Sequence, residues 1–205
     1  ASAITAAGSI TMGSSSSISS SSNNLNVSFT AGAGGMVLRG INTNGGTLTL
    51  NSSGPITQAA GVFAGGALTK EGIGSLTLSR TNTYTGTTTV SGGTLILTRN
   101  DAIVNAGVVD LQVGGLTVTD SETIGRLTGA SGTTVTLTQN LTFGDTTGTT
   151  IQSAISGAGD LNKQGSSTVI LSGASTYPGA TNVNNGALNF QGTKSGGGGV
   201  VVASG

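Results

Sequence analysis

Seven basic side chains stand against seven acidic ones in 205 residues, and histidine, cysteine and tryptophan are absent. A net charge of zero supplies no broad basic field for nucleic acid or an anionic membrane, and without histidine or cysteine the usual activated nucleophiles and any disulfide framework are excluded. Only 7% of residues are charged and glycine fills 37 positions, yet zero net charge and plentiful β-branched residues set the chain apart from disordered segments.

In chain order, the N-terminal ASAITAAGSITMG is uncharged and strand-like, with Ile4 and Ile10 as its apolar residues. Short runs of period two follow: GTLTLN at Leu48 and Leu50, SLTLS at Leu76 and Leu78, TTTVS at Val90, TLILT at Leu95 and Leu97. LTVTD at Leu116 and Val118, TVTLT at Val135 and Leu137, and TVILS at Val169 and Leu171 continue the series. Apolar residues two apart face the same way, so each run reads as a short strand. Between them stand GG, NGG, SGG, NNG and TG, which take positive φ at little steric cost and turn the chain. The C-terminal GGGGVVVASG closes with Val200, Val201 and Val202 and has no charge after Lys194. With two prolines and no helical spacing, the expected class is all-β, with very short strands and frequent corners.

The segment from Gly66 to Leu97 returns as Gly159 to Phe190, 93 residues later. Leu68, Lys70, Gly72, Leu78, Ser79, Thr83, Tyr84, Gly86, Thr88, Val90, Gly93 and Leu95 reappear as Leu161, Lys163, Gly165, Leu171, Ser172, Thr176, Tyr177, Gly179, Thr181, Val183, Gly186 and Leu188. A repeat that fixes alternating apolar residues and turns serves architecture first, and it favours a solenoid over a sandwich of long-range antiparallel pairs. We expect one domain over residues 1–205, a right-handed parallel β-helix. Coils of roughly 20 to 25 residues would place about four in each 93-residue period and about nine in the chain, a rod on the order of 40 Å long. Leu76, Leu78, Val90, Leu95, Leu97, Val135, Leu137, Val169, Leu171 and Leu188 are the expected inward stack, with Thr and Asn rows hydrogen-bonding along the outside.

The pattern L-x-K-x-G-x-G-x-L-x-L-x-x-x-N-T-Y-T-G-x-T-x-V-x-x-G-T-L, which starts at Leu68 and runs through Asn82, Tyr84 and Val90 to Leu95, resembles the autotransporter-associated β-strand repeat, also called the passenger-associated transport repeat. The second copy departs where Ser167 replaces Gly and where Ser175, Pro178 and Ala187 replace Asn, Thr and Thr. The stretch from Ser121 to Gly165 resembles the coils that precede this repeat, so the resemblance covers about half the chain. It implies an extracellular or cell-surface passenger of a Gram-negative outer-membrane system, often an adhesin. The chain shows neither an export signal nor a terminal membrane barrel, so it reads as a processed product or a section of a larger protein. Absence of cysteine suits passage through the oxidising periplasm as an unfolded chain, although crowding by small residues explains it equally well.

Chemistry is thinly represented. Among the acids only Asp120 and Glu122 lie two apart on one strand face, the spacing of a carboxylate pair on a glycosidic bond or a calcium ion. Without a third ligand they read as solvated residues at a strand end. The GAGD at residues 157–160 is too short a fragment of a calcium-binding nonapeptide. Tyr84 and Tyr177 are expected to plug corners with their hydroxyls in solvent, and Lys70 and Lys163 to be solvated turn residues. No catalytic residue, cofactor or metal is expected.

Three functions remain: a structural rod or filament segment supporting adhesion, biofilm or fibre formation; a carbohydrate-binding or carbohydrate-active β-helix contacting surface glycans; and an ice-binding solenoid, suggested by Thr47/Thr49, Thr117/Thr119 and Thr136/Thr138. The first is preferred, since carboxylate clusters and aromatic platforms are few and the Thr-x-Thr spacings differ. Both ends look uncapped, which predicts continuation into a longer chain or head-to-tail self-association through Ile4, Ile10, Val200, Val201 and Val202. No nucleic acid and no membrane insertion of this segment are expected.

Overall fold

In the computed structural model, which describes residues 2–202, the alternating runs become 25 short strands. Pairing is parallel from Ser2–Ala6 on Val27–Ala31 at one end to Thr181–Val183 on Val200–Val202 at the other. One circuit consists of Leu48–Ser52, Ile56–Gln58 and Phe63–Gly65, after which Leu68–Glu71 lies beside Leu48–Ser52 with Leu68 next to Leu48. Three strands per circuit give a β-solenoid with three faces. Ten strands follow one another along the first face, so the chain makes about nine turns. At about 4.8 Å per step the stack is roughly 45 Å long.

The three-strand circuit also corrects the repeat arithmetic. Strands of two to five residues joined by tight corners close a circuit in about 20 residues, as from Leu48 to Leu68 and from Leu68 to Thr88. A 93-residue period therefore holds four and two-thirds circuits, where the sequence suggested four. The first copy opens with Leu68–Glu71 on the first face, while the second opens with Leu161–Lys163 on the third. The repeat is a local unit of coil geometry that works from either face.

Thr88–Leu97 and Val108–Val118 are long enough to cross a corner, and they join the first and second faces into one 16-stranded sheet. The third face is divided into sheets of four and five strands. Corner glycines recur because the backbone there needs φ > 0: Gly72 and Gly93 have φ of 69° and 65°, and their counterparts Gly165 and Gly186 have 73° and 71°. A side chain at any of these would be strained.

Inward residues stack in columns. One runs through Ile4, Phe29, Leu50, Lys70, Val90 and Leu111 on the first face. Another runs through Ile10, Met36, Ile56, Leu76, Leu95, Leu116, Val135 and Ile155 on the second. Of the ten residues expected inside, nine are fully covered, while Leu188 is half-buried on Ala187–Phe190, the last described strand of its face. Outside, the third face carries the row Thr123, Thr142, Asn162 and Asn182. The Asn182 amide donates to Asn162 Oδ1 at 2.7 Å, and Asn162 donates to Thr142 Oγ1 at 3.4 Å, so the polar row does bond along the axis. The Thr-x-Thr motifs do not share one face: Thr49 lies on the first, whereas Thr117 and Thr136 are neighbours on the second.

Candidate functional site

The repeat's lysine is buried, contrary to the solvated-turn reading. Strand alternation that points Leu68 inward points Lys70 inward too, and its ammonium reaches the corner between two faces. Its Nζ donates to the carbonyls of Glu71 (2.6 Å), Gly72 (2.9 Å) and Gly92 (3.2 Å). Lys163 repeats the arrangement with Gln164 (2.6 Å), Gly165 (2.7 Å) and Asn185 (3.1 Å). An ammonium has three donors, and both lysines spend all three on backbone. Burial pushes Lys70 down to about 8, with the nearby Glu71 charge opposing the shift, and lowers Lys163 as well, opposed by Asp145.

A depressed folded pKa means that the Lys70 charge counts against the fold below about pH 8 and that stability is gained as pH climbs from there toward 10.5. Lys70→Met removes the buried charge but orphans three carbonyls. We expect a net loss of about 1–3 kcal/mol in urea unfolding; a variant as stable as its parent would show that burying the cation cancels the bonds it makes.

The tyrosine hydroxyls are also inside, where a solvent-facing position was expected. Tyr84 bonds Thr88 Oγ1 at 2.8 Å, and Tyr177 bonds Thr181 in the same way. Burial raises the pKa of both phenols, opposed by those hydrogen bonds; at Tyr84 the Glu122 charge adds to the rise. Lys194 lies 4.3 Å from the centre of the Tyr177 ring and donates to the carbonyls of Tyr177, Gly196 and Gly198. The second copy's departure at Ser167 has a visible cost, because its Oγ is the one buried side-chain polar atom without a hydrogen-bond partner among the described residues.

Asp120 and Glu122 do not form a pair. Asp120 is exposed and accepts from the N–H of Ser121. Glu122 is buried, and its two oxygens accept the N–H groups of Ala102 (3.0 Å) and Ile103 (3.2 Å). From the opposite side Asn82 donates to the Ala102 carbonyl at 2.9 Å and accepts from the N–H of Phe63 at 2.7 Å. These two side chains splice the divided third face, with the irregular segment at Ala102 and Ile103 standing where a strand would be. Burial pushes Glu122 up to about 7; the Ile103 and Ala102 N–H groups pull against this, and Asp101 and Asp120 push with it. The group is a structural joint, and the exposed Asp120 takes no part in it.

Among the proposed end residues, Ile4 lies on the first face, Ile10 on the second and Val200–Val202 on the third. Ile4 and Val200–Val202 are exposed, whereas Ile10 is half-buried against the core. They belong to different faces at opposite ends, so neither Ile4 nor Ile10 lies on the face that carries Val200–Val202. Val201 continues the outward Asn row, while Val200 and Val202 continue inward columns.

The lysine and tyrosine positions were legible in retrospect: Lys70 continues the alternation from Leu68, and Thr88 recurs four residues after Tyr84 as Thr181 does after Tyr177. No comparable sequence signal marks Asn82 with Glu122, since Ala102 brings them together from coils on either side. No curated protein and no solved structure matches the chain. The passenger-associated-transport-repeat family matches residues 68–97 and 161–190, the two stretches that share the buried lysine, the tyrosine–threonine bond and the positive-φ glycines. The chain therefore carries two passenger-associated transport repeats.

Proposed function

We propose that the chain is a rigid rod segment of a secreted, surface-displayed bacterial passenger protein, with an architectural and not a catalytic role. The repeats and the solenoid that contains them fit an autotransporter passenger. The observation that carries the reading is what the chain's unusual groups hold: the buried lysines and Glu122 hold backbone groups, the tyrosine hydroxyls hold threonine hydroxyls, and two repeats build the same corner from different faces. A rod of this kind spaces adhesive elements from the cell and supports adhesion, biofilm or fibre formation, with its open ends continuing into further coils or stacking head to tail.

A fusion that places the chain between an export signal and an outer-membrane barrel, with an epitope tag on the far end, tests this. We expect the tag to be reached by antibody on intact cells, and the exported chain to resist protease. A tag held in the periplasm although the barrel is assembled, or a displayed chain that is digested at once, would sink the reading.

A further inference from the structure

The seven basic side chains divide into two groups. Lys70, Lys163 and Lys194 cap backbone carbonyls, and Arg126 pairs with Asp145 at 3.4 Å. Arg39, Arg80 and Arg99 make no ion pair among the described residues, and all three follow second-face strands at the same corner of the solenoid. Arg39 turns back along the axis, its Nε donating to the Met12 carbonyl at 3.3 Å. Arg80 and Arg99 are exposed.

Leu78 pairs with Leu97 on neighbouring coils, and each is followed two positions later by an arginine. The two guanidinium groups therefore leave the backbone about one strand spacing apart, ~4.8 Å. Each is steadied by one hydrogen bond, Arg80 to the Ala59 carbonyl (3.1 Å) and Arg99 Nε to Thr81 Oγ1 (3.1 Å). Most of each five-donor fork stays free. Together with Ala60, Gly61, Val62 and Thr81 they wall an open cavity of about 380 Å³. Thr81 also borders a second cavity of about 360 Å³ with Thr83, Asp101, Val104 and Asn105, so the two adjoin at Thr81 as one shallow groove of mixed polar and apolar lining across the corner.

Stacking like charges on adjacent strands is unfavourable, and the coil does not require it. At the matching corner of the second repeat, two positions past Leu171 and Phe190, stand Gly173 and Gly192. The arginines are thus an addition to the repeat. Their repulsion is relieved by an anion held between them, and arginine forks fit the paired oxygens of carboxylate and sulfate. An open groove on a rod admits a polymer passing through, where an enclosed pocket would not.

We propose that this groove binds the anionic group of an acidic polysaccharide, with Arg80 and Arg99 clamping the anion and the Thr81 to Asn105 side offering hydroxyl and amide contacts to the sugar. The site is tested on the purified chain by calorimetry at physiological salt, with polygalacturonate as the carboxylate probe, dextran sulfate as the sulfate probe and uncharged dextran as control. We expect one or both polyanions to bind and dextran not to. Arg80→Gln and Arg99→Gln should each weaken binding about tenfold or more, the loss of a charge-assisted contact, while Arg39→Gln, which removes the same charge from the same corner, changes it less than about twofold. Whichever polyanion binds identifies the anion. Failure of both to bind, or an Arg39→Gln effect as large as the other two, overturns the site. Arg80 and Arg99 are exposed and Arg39 is half-buried, and circular dichroism checks that the variants are folded. Nothing in the measurement depends on export, so its failure leaves the rod reading standing.

Discussion

Replacing Leu78 with aspartate is expected to unfold the chain at ambient temperature or bring it to the edge of unfolding. Leu78 is fully covered and pairs in register with Leu97 on the next coil. The substitution loses about 1.5–3 kcal/mol of apolar burial and installs a carboxylate with no cation within the column, which costs several kcal/mol more. Against a total stability of about 5–15 kcal/mol that is most of what the fold has. In a solenoid each coil contacts only its neighbours, so the damage should begin at the coils holding Phe63 and Leu97 and spread. A thermal melt by circular dichroism reads the result, and a variant that melts with the parent would refute the placement of Leu78 in the core. Leu188→Asp is the internal control: the half-buried Leu188 lets a carboxylate reach water, and the loss should be distinctly smaller.

The second large effect is expected at the joint in the third face. Glu122→Ala leaves the buried N–H groups of Ala102 and Ile103 without acceptors. At about 1–3 kcal/mol for each unsatisfied group, the variant should lose about 2–6 kcal/mol. Asn82→Ala should match it, because the Phe63 N–H and the Ala102 carbonyl lose their partner from the other side. Since both act on Ala102, the double variant should cost less than the sum of the singles. Additive losses would mean that the two side chains do not share one joint.

The same residue gives the chain a pH dependence. The folded pKa of Glu122 is raised to about 7 from an ordinary 4.5, so the folded state holds its proton more tightly than the unfolded chain does. Its contribution is fully present below about pH 4.5 and is lost as pH rises through 7. The parent should therefore melt at a higher temperature at pH 5 than at pH 8, relative to Glu122→Gln, which carries no titrating proton at that position. If both proteins show the same difference between the two pH values, Glu122 titrates as an ordinary carboxyl and the desolvation reading fails.

Period-two runs in the sequence determined the class, the strands and the core: Leu76, Leu95 and Val135 point inward because apolar residues at that period bury only as strands. Recurrence of Gly72 and Gly93 as Gly165 and Gly186 marked the corners, since positive φ is a backbone property that glycine alone meets cheaply. What lay beyond the sequence was everything set by closure of the circuit. The number of faces depends on how sharply each corner turns, and that decided that 93 residues span four and two-thirds circuits and that the two repeats begin on different faces. Closure also decided the fate of the polar groups. Lys70 and Tyr84 look like surface residues by type, but inward-pointing corner carbonyls and Thr88 give them partners that make burial affordable. Asn82 and Glu122 meet across Ala102, and Arg80 and Arg99 open a groove, only because residues about 20 apart in the chain become neighbours one coil apart, a distance fixed by the stacking and invisible to any local pattern.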